Sequence, residues 1–261
     1  MVDVSKTSEK YNVPKLEISS RKYNVKLAET REEVEQALKL RFDVFNIELG
    51  EGLDESFATE MDEDIFDEQC HHLIVVDNDA NEVIGTYRMQ TSEMAFAGEG
   101  FYTQGEFDLA GFPKDIISNA VELGRACIHR DHRNGRVLFL LWRGLAKYLV
   151  VTEKRYLFGC CSLTSQDPNE GLIAYNYLKK QDLLHPKFQL TVQDEYECLK
   201  LADSSITEDE MKLPQLFRLY IDQRAKVCSP PALDKVFSTI DFLILLDIEE
   251  LSEQSRTLFF K

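Results

Sequence analysis

The chain has 261 residues, 44% of them hydrophobic, enough to bury a sizeable core in one large or two small domains. Its formal net charge of -16 excludes a general nucleic-acid binder, which needs Lys and Arg in clustered excess to neutralise phosphates. There is no apolar run of about 18 residues and no apolar signal core at the start, so a cytoplasmic protein with reduced cysteines is expected.

Residues 1–20 are polar and aperiodic and read as a flexible terminus. Alternation from Tyr23 to Ala28 predicts a strand. Thr30 as N-cap, with Glu33 three residues on, then predicts a helix carrying Val34, Ala37, Leu38, Arg41, Phe42 and Phe45. The acidic stretch from Gly50 to Gln69 is long for a simple connection and reads as a binding loop or lid. The β-branched runs His72 to Val76 and Val83 to Gln90 flank a polar loop and predict a hairpin. After an irregular region from Ser92 to Ser118, strands are expected at Ala120–Ile128, Tyr156–Cys161 and Thr239–Asp247, and helices at Val137–Thr152, Pro168–Lys180 and Leu213–Arg224. Hairpins early and βα crossovers later indicate an α+β or mixed α/β fold.

The richest segment runs from Val121 to Arg136. Strict alternation would place Glu122 and Arg125 on opposite faces of a strand, but Gly124 between them marks a bulge that would turn both to one side. A salt bridge at a strand end is the plain structural alternative. The strand feeds a basic turn and then a helix, whose first amides and positive dipole end suit a phosphate. Residues 125–155 carry eight Lys or Arg against Asp131 and Glu153, a basic island fit for an anionic ligand or acidic partner. Cys70-His71-His72 has no second Cys or His pair at ligand spacing, so no metal site is expected there.

Several separated motifs together resemble one family. They are Arg41-Phe42-Asp43-Val44-Phe45 with Glu48-Leu49-Gly50, Asp64-Ile65-Phe66-Asp67 before Cys70-His71-His72-Leu73-Ile74-Val75, Gly85-Thr86-Tyr87-Arg88, Glu122-Leu123-Gly124-Arg125, Leu141-Trp142-Arg143-Gly144, and Pro231-Ala232-Leu233-Asp234 with Asp241-Phe242. In order and spacing they resemble the long-chain branch of the GCN5-related N-acetyltransferase (GNAT) superfamily, which holds acyl-carrier-protein-dependent ornithine and glycine N-acyltransferases and acyl-homoserine-lactone synthases. The resemblance implies a three-layer fold with a central mixed, mostly antiparallel sheet flanked by helices. Its acyltransferase core would span residues 21–200, with a C-terminal extension, 201–261, packed on it.

The same resemblance implies roles. Glu122 would be the general base for the acceptor amine, which cannot attack a thioester until it loses a proton, and Arg125 would steady substrate or sheet geometry. The thioester-binding turn of the superfamily has Arg or Gln, two residues, Gly, one residue, then Gly or Ala. Here Arg130 and Gly135 fit its ends, while Arg133 replaces the middle glycine. Ile128, Arg130, Arg133, Asn134, Gly135 and Arg136 would therefore hold the phosphopantetheine arm of an acyl carrier protein thioester, or acyl-CoA, as co-substrate, with no tightly bound cofactor. The substitution of Arg133 suits a single phosphate better than a pyrophosphate.

Arg41, Asp64, Asp67 and Arg88 would form the acceptor side, or equally an ion network that pins the lid. Phe96, Phe101, Tyr102, Phe107 and Phe112 would line an acyl tunnel or simply fill a core. Cys127 is a conceivable acyl nucleophile without an evident base partner. The expected partners are acyl carrier protein and an amino acid such as ornithine or glycine, with transient membrane contact implied by a lipid product. The alternatives are an autoinducer synthase, an acetyl-CoA-dependent N-acetyltransferase, or a thioester-binding protein without turnover.

Overall fold

The computed structural model describes residues 14–261, so most of the expected flexible terminus, 1–20, lies outside the described residues. The chain divides into two compact units, one formed by residues up to Gly100 with Val121–Lys154 and Arg256–Lys261, the other by Phe101–Ala120 and Arg155–Ser255. The fold is mixed α/β, with mostly antiparallel strands flanked by helices.

In the first unit an antiparallel run orders β1 (Glu17–Ser19), β2 (Tyr23–Leu27), β3 (His71–Asp77), β4 (Glu82–Thr91) and β5 (Ala120–Ile128) side by side. The short edge strand β1 falls within the stretch expected to be loose. Helix α1 (Arg31–Phe42) starts as its sequence predicts, since the Thr30 hydroxyl accepts from Glu33 N–H while Glu33 reaches back to Glu29 N–H. Its winding then loosens into a π-helix over Asp43–Leu49, which the 3.6-residue period did not foretell. Ala37, Leu40 and Val44 pack on Ile74, Val83 and Cys127, so this helix covers one face of the sheet.

Two short helices, α2 (Ser92–Ala97) and α3 (Lys114–Ile117), lie in the irregular stretch, and after the basic turn comes the long α4 (Arg136–Thr152). Of these, α4 covers the opposite sheet face. Gly144 permits its close approach, because a Cβ there would meet Leu73 Cδ2 at 2.8 Å. The first unit is thus three layers, helix on sheet on helix.

In the second unit β6 (Tyr156–Leu163) pairs with β9 (Thr239–Asp247), and β9 also pairs with β7 (Lys226–Val227) and β8 (Ala232–Asp234). Helices α5 (Pro168–Lys180), α6 (Gln215–Asp222) and α7 (Glu253–Phe260) complete the chain, α7 ending in the first unit. Strands β7 and β8 are too short for alternation to reveal. Phe101 and Phe112 stack edge-on against Phe158 and are buried with Phe107, so these aromatics fill the core of this unit, whereas Phe96 is exposed.

Candidate active site

Strand β5 carries the irregularity the sequence pointed to. Thr86 opposes Cys127 and Arg88 opposes Gly124, so Arg125 and Ala126 together face the single residue Tyr87. The bulge begins one residue beyond Gly124, and it is Arg125, not the glycine, that takes a left-handed backbone at φ 49°. A long side chain in that conformation is costly, and a strong local anchor is required to hold it.

That anchor is a buried ion network. The Arg41 guanidinium donates to Asp62 Oδ2 at 2.7 Å and, with two nitrogens, to Asp67 at 2.6 and 3.2 Å. Arg88 donates to Asp64 Oδ1 at 2.6 Å and Asp67 Oδ1 at 3.2 Å. Arg125 donates to Asp64 Oδ2 at 3.1 Å and places Nε 3.2 Å from Asp62 Oδ2. Three arginines face three aspartates, so the cluster is neutral as a whole. Burial works against the charge on Asp67, but Arg41 and Arg88 outweigh it and hold the carboxyl well below the usual carboxylate range; at Asp62 burial is likewise outweighed by Arg41 and Arg125, which lower its pKa. Asp62 was not anticipated, and its place in the acidic run Asp62-Glu63-Asp64 is the only signal that could have found it.

Asp64 and Asp67 also form a capping box on the 3₁₀ turn Ile65–Glu68. Asp64 accepts from Phe66 N–H at 2.9 Å, and Asp67 accepts from Asp64 N–H at 2.8 Å. The acidic loop is therefore latched to α1, β4 and β5. Arg41 and Asp62 are wholly enclosed, while Asp64, with 14% of its side chain exposed, is the member that borders solvent. Asp64 and Arg125 are the outermost members of the cluster, and Arg41, Asp67 and Arg88 lie behind them.

Glu122 shares the sheet face of Arg88 and Gln90, since it lies directly opposite Gln90 on β4. Gln90 donates to Glu122 Oε2 at 2.6 Å, and Gln69 donates to Gln90 Oε1 at 2.6 Å and to Gly100 O at 2.9 Å. This amide relay fixes the orientation of a carboxylate that is 5% exposed. Neither glutamine had a sequence signal.

The basic turn follows β5. Gly135 caps α4 with φ 78°, a conformation that favours glycine, and Asn134 Oδ1 accepts from Arg136 N–H at 3.1 Å. The next amides, of Val137 and Leu138, lie at the open end of the helix. Arg130 and Arg136 are exposed, Arg136 over the Tyr23 ring. Arg133 is committed elsewhere. Its Nε donates to Ile128 O, and its guanidinium grips both oxygens of Glu48 at 2.5 and 2.7 Å, a pairing that lowers the Glu48 pKa.

The basic island shrinks in three dimensions. Arg125, Arg133 and Lys154 face acids brought from distant positions in the same unit, and Arg155 faces Asp247 and Glu249 in the other. Cys127 is buried with its thiol pushed up to about 12, chiefly by burial, which removes it as a nucleophile at neutral pH. His71 and His72 are likewise buried and pushed down to about 4, so they are neutral; His71 Nδ1 lies 2.8 Å from the Tyr148 hydroxyl.

Residues 40–143 match the model of the acetyltransferase (GNAT) domain. An L-ornithine N(alpha)-acyltransferase of Rhodobacter capsulatus is 29% identical over 91% of this chain and 94% of its own. A protein of the same name from Agrobacterium fabrum is 29% identical over 87% of this chain and 81% of its own. Among solved structures, FeeM, an N-acyl amino acid synthase from uncultured soil microbes, shares the fold at a TM-score of 0.50 and 12% identity, covering 92% of this chain and 99% of its own. The AHL synthase LasI does so at 0.50 and 11%, covering 95% and 96%.

Proposed function

We propose, starting from a chain that carries a GNAT acetyltransferase domain and is an N-acyltransferase, that it moves a fatty acyl group from a carrier-protein thioester to the α-amine of an amino acid such as ornithine. The observation that carries this reading is the span of β5. Glu122 lies near one end of the strand and the cationic turn begins beyond Ile128, a separation of roughly 20 Å at the rise of an extended strand. A donor held by its phosphate at the turn needs a long arm to bring its thioester beside Glu122, and a phosphopantetheine arm has that form.

In this mechanism Arg130, Arg136 and the first amides of α4 hold the phosphate, with Gly135 and Asn134 shaping the turn and Ile128 and Arg133 bracing it. The acceptor enters with its amine protonated, as amines are at neutral pH, and Glu122 removes the proton directly or through a water. The amine attacks the thioester carbonyl, the carbon–sulfur bond breaks, and the thiol of the arm leaves with a proton. Asp64 and Arg125 contact the acceptor, while Arg41, Asp67 and Arg88 position them. Because Arg133 is held by Glu48, Arg130 and Arg136 are the arginines left for a ligand at the turn, which favours the single phosphate of a carrier protein over the pyrophosphate of CoA. Such donors place the reaction in the cytoplasm. No helix among the described residues is long and apolar enough to cross a membrane; the lipid character of the product is what supports transient contact with a membrane surface.

A free-thiol release assay tests the reading, with long-chain acyl carrier protein, long-chain acyl-CoA and acetyl-CoA as donors against a panel of amino acids. Amine-dependent release from the long-chain carrier is expected, with little from acetyl-CoA. Glu122→Gln should lower kcat by about 10²–10⁴-fold with unchanged donor affinity. Release from acetyl-CoA alone would overturn the donor assignment, and full turnover in Glu122→Gln would remove it as the base.

A further inference from the structure

The second unit contains a buried acidic cluster outside the site described above. Cys160 lies on β6 and Asp241 on β9, where Asp241 opposes Ser162; residues two apart share a face, so Cys160, Asp241 and Thr239 all point to one side of the paired strands. Glu106, which ends the 3₁₀ turn Tyr102–Gly105, stands over that face with both carboxylate oxygens 3.8 Å from Cys160 Sγ. One donor atom from each of the three residues lies within 4.8 Å of the others.

Two further atoms point to an occupant. Asp241 is 4% and Thr239 3% exposed, and the Ser162, Thr239 and Glu106 side chains approach the Asp241 carboxyl, yet the buried Asp241 Oδ1 and Thr239 Oγ1 make no hydrogen bond of good geometry among the described residues. Buried polar atoms are paired as a rule.

The donor set selects the class of occupant. Two carboxylates alone would suit an ammonium group or a hard cation, but a thiol is a poor acceptor for an ammonium and a good ligand for a borderline-soft metal. Tetrahedral zinc takes sulfur at about 2.3 Å and oxygen at about 2.0–2.2 Å, which sets its ligand atoms roughly 3.4–3.6 Å apart; Cys160 Sγ stands 3.8 Å from the Glu106 oxygens, and all three donors lie within 4.8 Å of one another. We propose that Cys160, Glu106 and Asp241 bind one divalent metal ion of the zinc class, with a fourth position open. Cys160 is the half-buried member and gives the ion its way in. The ion would tie the segment around residue 106 to β6 and β9 and offset the buried carboxylates.

Chelator-treated full-length protein, titrated with Co²⁺ under reducing conditions and followed by sulfur-to-cobalt charge-transfer absorption, tests this. The band should saturate at one equivalent and disappear on adding Zn²⁺. Cys160→Ser should abolish it, and Asp241→Asn should weaken binding by roughly tenfold or more. Cys228→Ser, a buried cysteine of the same unit, should leave the band intact, and circular dichroism would show that each variant folds. Glu106→Gln serves if Asp241→Asn does not fold. Absence of the band, its persistence in Cys160→Ser, or equal affinity in the folded carboxylate variants would overturn the proposal; the last would mark adventitious surface binding.

Discussion

Asp67 in the first unit and Asp241 in the second are carboxylates buried to about the same degree, 6% and 4% exposed, yet they stand in opposite electrostatic states. Burial pushes both upward. Around Asp67 the guanidinium groups of Arg41 and Arg88 overcome it and hold the carboxyl deep in its ionised form. Asp241 stays up at about 6, chiefly through burial, with the charge of Asp234 acting in the same direction. Burial therefore does not decide what a buried acid is for. An acid enclosed with its own cations is part of the scaffold, whereas one enclosed among other acids is poised for a cation or a proton from outside.

The hardest blow to this contrast falls on the balanced cluster. Arg41→Met leaves Asp62 and Asp67 short of their main partner in a fully buried place, and urea denaturation should show a loss of about 3–5 kcal/mol. A loss below about 1 kcal/mol would mean that the network is no more than a surface-like ornament on the sheet.

Acid should then tilt the two units in opposite directions. His71 and His72 have folded values of about 4 against an ordinary 6.5, so between these values the unfolded chain binds protons first and stability falls as pH is lowered. For Asp241 the folded value of about 6 exceeds the ordinary 3.8, so the folded chain binds the proton first and stability rises as pH is lowered through that window. Each group accounts for roughly 3 kcal/mol over its window. Hydrogen exchange of chelator-treated protein, corrected for intrinsic rates, should show protection near β3 falling and protection near residue 241 rising from pH 6 to 4. Movement of both in one direction would dissolve the contrast.

The smallest effect lies at the surface. Glu48→Gln frees Arg133 from a pair that is about a third exposed, so stability should change by less than about 1 kcal/mol. The released cation should lower KM for phosphate-bearing donors a few-fold and make KM more sensitive to salt, as steady-state kinetics at two ionic strengths would reveal. An unchanged KM would place the phosphate away from residue 133.

Much of the first unit was legible because its signals are local. Alternation marked β2, β-branched runs around a polar loop marked β3 and β4, Thr30 marked the start of α1, and Gly124 pointed to a bulge that brings Arg125 to the side of Glu122. What the sequence hid were the partners that arrive from far away. Asp62 reaches Arg125 across more than sixty positions, Gln69 and Gln90 meet only because the loop folds over β4, and Glu48 neutralises a cation that a linear count leaves free. The cluster of Glu106, Cys160 and Asp241 is assembled by strand pairing alone, and no spacing rule could announce it.

The left-handed residue in β5 has one more consequence. The bulge at Arg125 offsets the two halves of the strand by a single position, and Asp62 and Asp64 hold that offset in place. Were the extra residue squeezed out while Cys127 kept its partner Thr86, the half of β5 before it would slip by one, and Glu122 would come to oppose Thr91 instead of Gln90. Its carboxylate would then emerge on the side of the sheet occupied by α4. The arginine–aspartate network is thus a register pin, and it decides on which side of the molecule the glutamate can act.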